Sequence, residues 1–492
     1  MPDNRAYSNG PRTNNRRVPR DERNYQNRRD SRSNQDVNNR TAEPARSRNT
    51  GVPIYERNRS TAISTRSRST INNRADRNSR QSDRSNRPRE HAVAISPQEI
   101  RNKRMLGDKL YPAEDILVGS VDYTILIVVI ILTIIGIVMV YSASYTLAGS
   151  RSVFEFNPFF FLTRNLRFAA MGIVALFIMT KIHYEIYRKV AVPVYVITAG
   201  MLVAVMVIGV STRGAVRWLP MPVIGQFMPS EVAKLALVLM MAYWIDKERS
   251  ALDSWMGLFA FSAIVGVMTL LVLYGGFSSA LIVGAIGFGM IFIASKHFLR
   301  FVAIGGILAA LVGGYLLWDS IWGGGFRGGR WTVWLDPWSD SLNLGFQTIQ
   351  SLYALASGSW FGLGIGQSRQ ASVLPDPHND IIFAIIVEEL GLFGGFLILG
   401  LYIILIWRGI MVALNAPDVF SQTVAFGIVF SLAFQTLINI AVVTNTIPNT
   451  GVTLPFISYG GTSLLMSMAM AGILLSISRY TKVKDSVIKE LI

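Results

Sequence analysis

The 492-residue chain predicts an all-α polytopic membrane protein of about ten transmembrane helices, with one long extracytoplasmic loop and a disordered N-terminal tail. Three observations carry that prediction. Hydrophobic residues make up 51% of the chain, too many for an ordinary soluble protein. Apolar runs recur at roughly 20 residues, the length a helix needs to cross about 30 Å of hydrocarbon. The charge is segregated: residues 1–104 hold 24 Arg and one Lys against 11 Asp and Glu, a surplus of 14 out of a net +16.

Residues 1–110 are rich in Arg, Asn, Ser, Asp and Pro. Such a stretch buries too little apolar surface to fold and reads as a disordered cytoplasmic tail. No apolar core of a signal peptide lies near Met1. The tail's arginines suit anionic membrane lipid or an acidic partner, or simply fix topology by positive charge; no nucleic-acid role is expected. The membrane domain is expected over 111–480 and a short cytoplasmic C-terminal tail over 481–492.

Ten spans are expected at 123–146, 165–180, 191–210, 229–245, 255–273, 277–295, 300–318, 381–407, 420–442 and 461–478. An even number puts both termini on one side, and the basic tail makes that side cytoplasmic. The chain has no cysteine and only four scattered histidines, which excludes disulfides and thiolate sites and disfavours zinc.

Five arginines break the positive-inside pattern by falling in outer loops: Arg213, Arg217, Arg327, Arg330 and Arg369. Each can bind an anionic lipid head group or pair with nearby carboxylates. Residues 319–379 form the longest outer loop, rich in Gly and Trp. Gly362, Gly364 and Gly366 alternate there without the strand–turn–helix setting of a dinucleotide site. The tryptophans read first as an interfacial belt and second as platforms for sugars. The segment 447–461, IPNTGVTLPFISYGG, is shaped, non-helical backbone at membrane depth, tolerated only inside protein or beside water.

The stretch 374–394 draws these features together. It begins polar, LPDPHND, and runs into an apolar helix that still contains Glu388 and Glu389. Carboxylates in such places are costly unless they have a role or a partner. Asp380 can be a helix cap or a reacting group. One of Glu388 and Glu389 is expected to be a buried structural partner. Glu231 is expected to pair with Lys234 three residues on.

RGAVRW at 213–218, PSEVAK at 229–234, LDPW at 335–338, GFQ at 345–347 with Gln350, GLGIGQS at 362–368, LPDPHNDIIFAIIVEELG at 374–391 and PNTGVTLPFISYGGTS at 448–463 occur in this order. Together they resemble the SEDS family (shape, elongation, division and sporulation), in its FtsW/SpoVE-like branch, over roughly 120–480. The resemblance implies a peptidoglycan glycosyltransferase that polymerises lipid II at the outer face of the cytoplasmic membrane. It also implies a class B penicillin-binding protein and other division proteins as partners. Asp380 matches the family's essential acid, although its usual His-Thr-Asp is His-Asn-Asp here. Arg217 matches the arginine of the outer RW motif, and Arg213 stands where the family often has Asn.

That chemistry needs a base for the acceptor hydroxyl and positive charge for the leaving diphosphate. Asp380 would be the base. The expected substrate-binding set is Arg213, Arg217, Lys234, Arg330, Gln347, Gln350, His378 and Ser458. A divalent cation, Mg or Mn, would assist or replace the basic groups. A lipid II flippase, an elongation-type (RodA-like) polymerase and a non-catalytic scaffold are the competing readings.

Overall fold

The computed structural model describes residues 105–106, 109–110, 116–212, 215–221, 225–295, 300, 306, 313–314, 328–343 and 345–482, all within one compact unit spanning 92–492. Residues 1–104 of the expected tail, Arg213, Arg327, most of the span at 300–318 and residues 483–492 lie outside them. The account below is of the described residues.

Twelve helices follow in chain order: α1 Tyr123–Ser150, α2 Phe160–Lys181, α3 Tyr184–Ile208, α4 Pro229–Lys247, α5 Trp255–Gly275, α6 Phe277–Ala294, α7 Gly328–Leu335, α8 Phe346–Ser357, α9 Gln370–Val373, α10 Ile382–Leu414, α11 Val419–Val443 and α12 Gly461–Ser478. Eight of them (α1, α2, α3, α5, α6, α10, α11 and α12) are long and apolar enough to cross a membrane. The protein is thus a multi-pass membrane protein. A ninth expected span, α4, forms as a helix but carries Glu231, Lys234, Asp246 and Lys247, which lower its hydropathy.

Local chemistry sets the helix starts. The Asp122 carboxylate accepts from the amides of Thr124 and Ile125 at 3.0 and 3.2 Å and opens α1. Asp418 and Ser421 form a reciprocal capping box at α11. Pro229 sits in the first turn of α4, where its missing N–H costs nothing. The end of the bundle that holds Asp122 and Asp418 is tied by charge. Arg408 bonds Asp122 at 2.6 Å, while Arg188 bridges Asp246 at 3.2 Å and Asp418 at 2.5 Å.

The expected all-α membrane fold is what forms, and a small sheet is added to it. Between the expected spans ending at 210 and starting at 229, the chain forms a three-stranded antiparallel sheet of β4 Val210–Thr212, β5 Ala215–Met221 and β6 Gly225–Phe227. Valine, tryptophan and leucine along β5 favour strand once the chain is free of the span. Two-residue strands β1 Met105–Leu106 and β2 Lys109–Leu110 also pair, inside the stretch expected to lack structure. Near the membrane domain's two ends, β3 Ile116–Val118 pairs antiparallel with β7 Tyr480–Lys482, so both ends lie on one side of the bundle.

Among its described residues, the expected long outer loop contains three helices, α7, α8 and α9. Its remaining irregular part docks into a break in α10. At Gly391 the helix leaves helical geometry, with φ 72° and ψ −175°. The carbonyls of Glu388 and Glu389, freed by the break, accept from the amides of Leu363 (2.9 Å) and Gly364 (3.0 Å). The amides of Leu392 and Phe393 donate in turn to the carbonyls of Ser359 and Trp360 at 2.9 and 3.3 Å. Backbone groups that would be orphaned in a hydrocarbon setting are therefore satisfied by another part of the chain. This docking accounts for the alternating glycines without any nucleotide: a Cβ on Gly362 would lie 2.1 Å from the Glu389 carbonyl oxygen.

Candidate active site

Asp380 is half-buried just before α10, where two segments converge on it. One is α8, whose Gln347 points Nε2 at both carboxylate oxygens, 3.4 and 3.5 Å away. The other is the 447–460 loop. Gly451 has a left-handed φ of 65°, and a Cβ there would stand 3.6 Å from Asp380 Oδ2, so the loop backbone runs beside the acid. Gln350, one turn beyond Gln347 on α8, is also half-buried.

Three of the other expected site residues face inward. His378 is 2% exposed, and its ring packs on Phe161 at 4.1 Å between centroids and near Tyr459 at 5.2 Å. Its carbonyl accepts from the Tyr459 amide at 2.9 Å. The buried Ser458 hydroxyl accepts from the Leu454 amide at 2.7 Å and closes the turn in TLPFISY. Lys234 is buried too. It pairs with Glu231 at 2.8 Å, as its spacing predicts, and donates to Gln435 Oε1 at 2.7 Å. All three side chains, expected to meet substrate, are buried in this structure.

Arg217 lies on β5, partly buried, and its Nε donates to the Gly275 carbonyl at 2.6 Å. That carbonyl belongs to the last turn of α5, where a cation complements the helix dipole. Arg217 therefore anchors the sheet to α5. Arg330 falls on α7, and Arg369 immediately precedes α9, donating its amide to Glu388 at 3.0 Å.

Both membrane glutamates are structural partners, where one was expected. Glu388 accepts from the Ser368 hydroxyl at 2.5 Å and from the Arg369 and Gln370 amides, which caps α9. Glu389 accepts from the Ser142 hydroxyl of α1 at 2.7 Å, and Ser142 in turn accepts from the Gly366 amide at 3.0 Å. The tryptophans divide similarly. Trp334 Nε1 donates to the Asn445 carbonyl at 3.1 Å, fastening α7 to the end of α11, whereas Trp360 is exposed beside Phe393.

Two cations were missed. Burial pushes the Tyr459 phenol up from its ordinary range, and the fields of Arg164 and Arg167 oppose that shift. Arg164 also reaches the sheet, with Nη2 3.7 Å from where a Gly225 Cβ would be. Both lie on the first two turns of α2 and so bring positive charge to the loop that flanks Asp380. Among the described residues no three His, Asp or Glu side chains cluster as metal ligands.

Comparison with known proteins gives a consistent result. The cell cycle protein family FTSW_RODA_SPOVE matches residues 122–483. Stage V sporulation protein E of Bacillus subtilis (strain 168) is 39% identical over 371 residues, 74% of this chain and 98% of that one. The probable peptidoglycan glycosyltransferase FtsW of Geobacter sp. (strain M18) is 37% identical, covering 73% and 97%. Among solved structures, a chain from work on structural coordination of polymerization and crosslinking by a peptidoglycan synthase complex aligns with TM-score 0.60 and 25% identity over 73% of this chain and 98% of its own. The Thermus thermophilus rod shape determining protein RodA shares the fold, with TM-score 0.52 and 24% identity over 74% and 98%.

Proposed function

This chain belongs to the FtsW, RodA and SpoVE family of cell cycle proteins, and from that premise we propose that it is a peptidoglycan glycosyltransferase that polymerises lipid II, serving septal synthesis in cell division. One observation carries the catalytic reading. A half-buried carboxylate, Asp380, stands at the start of a membrane helix between a glutamine side chain and a glycine backbone, with arginines on the neighbouring helix α2. In this reading Asp380 takes the proton from the acceptor sugar hydroxyl as that oxygen attacks the donor sugar's anomeric carbon and the lipid diphosphate leaves. Gln347 orients the carboxylate. Arg164 and Arg167 supply positive charge for the diphosphate, and Arg330 of α7 is a further candidate cation for it. A magnesium or manganese ion recruited to this site would take most of its oxygen ligands from the diphosphate itself, since the described side chains do not form a cage.

The outer face is assigned to the Asp380 end, and the cytoplasm to both termini and to the basic tail. The chain is expected to work with a class B penicillin-binding protein. The deciding experiment is synthesis of glycan strands from purified lipid II by this protein with its cognate partner. Accumulation of lipid II on the opposite leaflet of vesicles without strand formation would favour the flippase reading.

Two further outcomes follow. Arg217→Ala should lower strand synthesis by about tenfold or more, because it removes a charge-assisted bond of the order of 1.5–3 kcal/mol that seats the sheet on α5. Arg217→Lys should recover only part, since a point charge does not reproduce the planar guanidinium. Equal rates for wild type, Lys and Ala in a steady-state assay would remove Arg217 from the machinery. Deleting residues 2–100 should leave the rate in liposomes unchanged and alter recruitment in cells, because a cytoplasmic segment cannot reach across about 30 Å of hydrocarbon. Loss of synthesis by correctly inserted truncated protein would make the tail part of the enzyme.

A further inference from the structure

We infer that Asn439 of α11 is the positioning residue for Asp380, through a carboxamide ladder that locks together the two segments flanking the acid. The inference rests on Asp380 being the base and adds the device that holds it. Asn439 is completely buried, one turn before the end of α11. Its Nδ2 lies 2.7 Å from the Asp380 carbonyl oxygen and 2.7 Å from the Val452 carbonyl oxygen. Both partners can only accept, so the amide nitrogen must face them, and both of its N–H groups are used. One bond goes to each loop.

The next rung is four residues earlier, on the same helix face. Gln435 Nε2 donates to the Thr453 carbonyl at 2.9 Å, and its Oε1 accepts from Lys234 at 2.7 Å. The consecutive carbonyls of Val452 and Thr453 are thus held by consecutive turns of α11. The residue before them is Gly451, whose backbone runs beside the Asp380 carboxylate. Asn439 bonds the backbone of Asp380 rather than its carboxylate, so it sets where the acid stands without occupying it. Merely satisfying buried carbonyls would require no bridge between two segments 72 residues apart at the acid itself.

Misplacing a reacting group by about 1 Å costs up to about 10²-fold in rate. Asn439→Leu, similar in size but without donors, is therefore expected to lower kcat for lipid II polymerisation by about 10- to 100-fold, with lipid II affinity kept within about twofold. Asn439→Ser, which keeps one donor, should recover part of kcat and serves if the Leu variant does not fold, as read from thermal unfolding in detergent. In an Asp380→Asn background, Asn439→Ser should change neither the residual rate nor lipid II binding. A folded Asn439→Leu protein with normal kcat overturns the inference, as does a Ser variant that loses affinity in step with rate. Normal synthesis by Asp380→Asn alone would instead remove the base assignment, whatever Asn439 does.

Discussion

Asp380→Asn is expected to reduce strand synthesis by about 10²- to 10⁴-fold, the usual contribution of a positioned general base, in a protein that still folds and inserts. The substitution is nearly isosteric, and the surroundings tolerate it. Asn439 holds the backbone carbonyl of residue 380, which the change leaves in place. Gln347 can still donate to the remaining side-chain oxygen. The Gly451 backbone meets a group of the same size. What disappears is the ability to accept a proton from the sugar hydroxyl. The measurement is glycan polymer formed by purified protein with its penicillin-binding partner, alongside thermal unfolding in detergent. A variant that melts like wild type and polymerises at a comparable rate would falsify the assignment.

The membrane architecture was legible because hydrocarbon leaves few options. Helices appear at 277–294 and 461–478, against expected spans of 277–295 and 461–478. Asp380 stood out for a related reason, as a carboxylate at the start of a span. Other parts were hidden by how the boundaries were drawn. The second span was begun at 165, which left Arg164 outside and Arg167 as an ordinary end residue; α2 in fact starts at Phe160 and carries both on its opening turns. Gln435 and Asn439 lay inside an apolar run, although two carboxamides four residues apart within a span are themselves a signal of buried polar bonding. Glu388 and Glu389 were conspicuous, but their partners come from the loop at 366–370 and from Ser142, and no local pattern announces such distant pairings. His378 and Ser458 stand beside the acid and in the shaped loop, and no local pattern announces how deeply their side chains are buried. Packing turns both inward.

Gly391→Ala is expected to destabilise the protein by about 3 kcal/mol or more, the combined scale of a forbidden backbone conformation and an overpacked contact. With φ 72° and ψ −175°, residue 391 occupies a region open essentially to glycine alone. Space is equally restrictive, because a Cβ would lie 2.2 Å from the Trp360 carbonyl oxygen and 2.5 Å from the Gly362 amide nitrogen. Neither atom belongs to a flexible side chain that could swing away. Relief would require the 358–366 segment to undock, and that would strip the Glu388 and Glu389 carbonyls of their donors inside the membrane domain. The same movement would disturb the connection from α8, which carries Gln347, to Asp380. Gly400→Ala, nine residues further along the same helix, provides the contrast. Nothing lies within 4 Å of its would-be Cβ, and alanine is the better helix former. Thermal unfolding of the two variants in one detergent should therefore separate sharply, with Gly391→Ala far below wild type and Gly400→Ala at or above it. An unchanged melting temperature for Gly391→Ala would mean that α10 runs unbroken through this position and that the glycine-rich loop does not dock there.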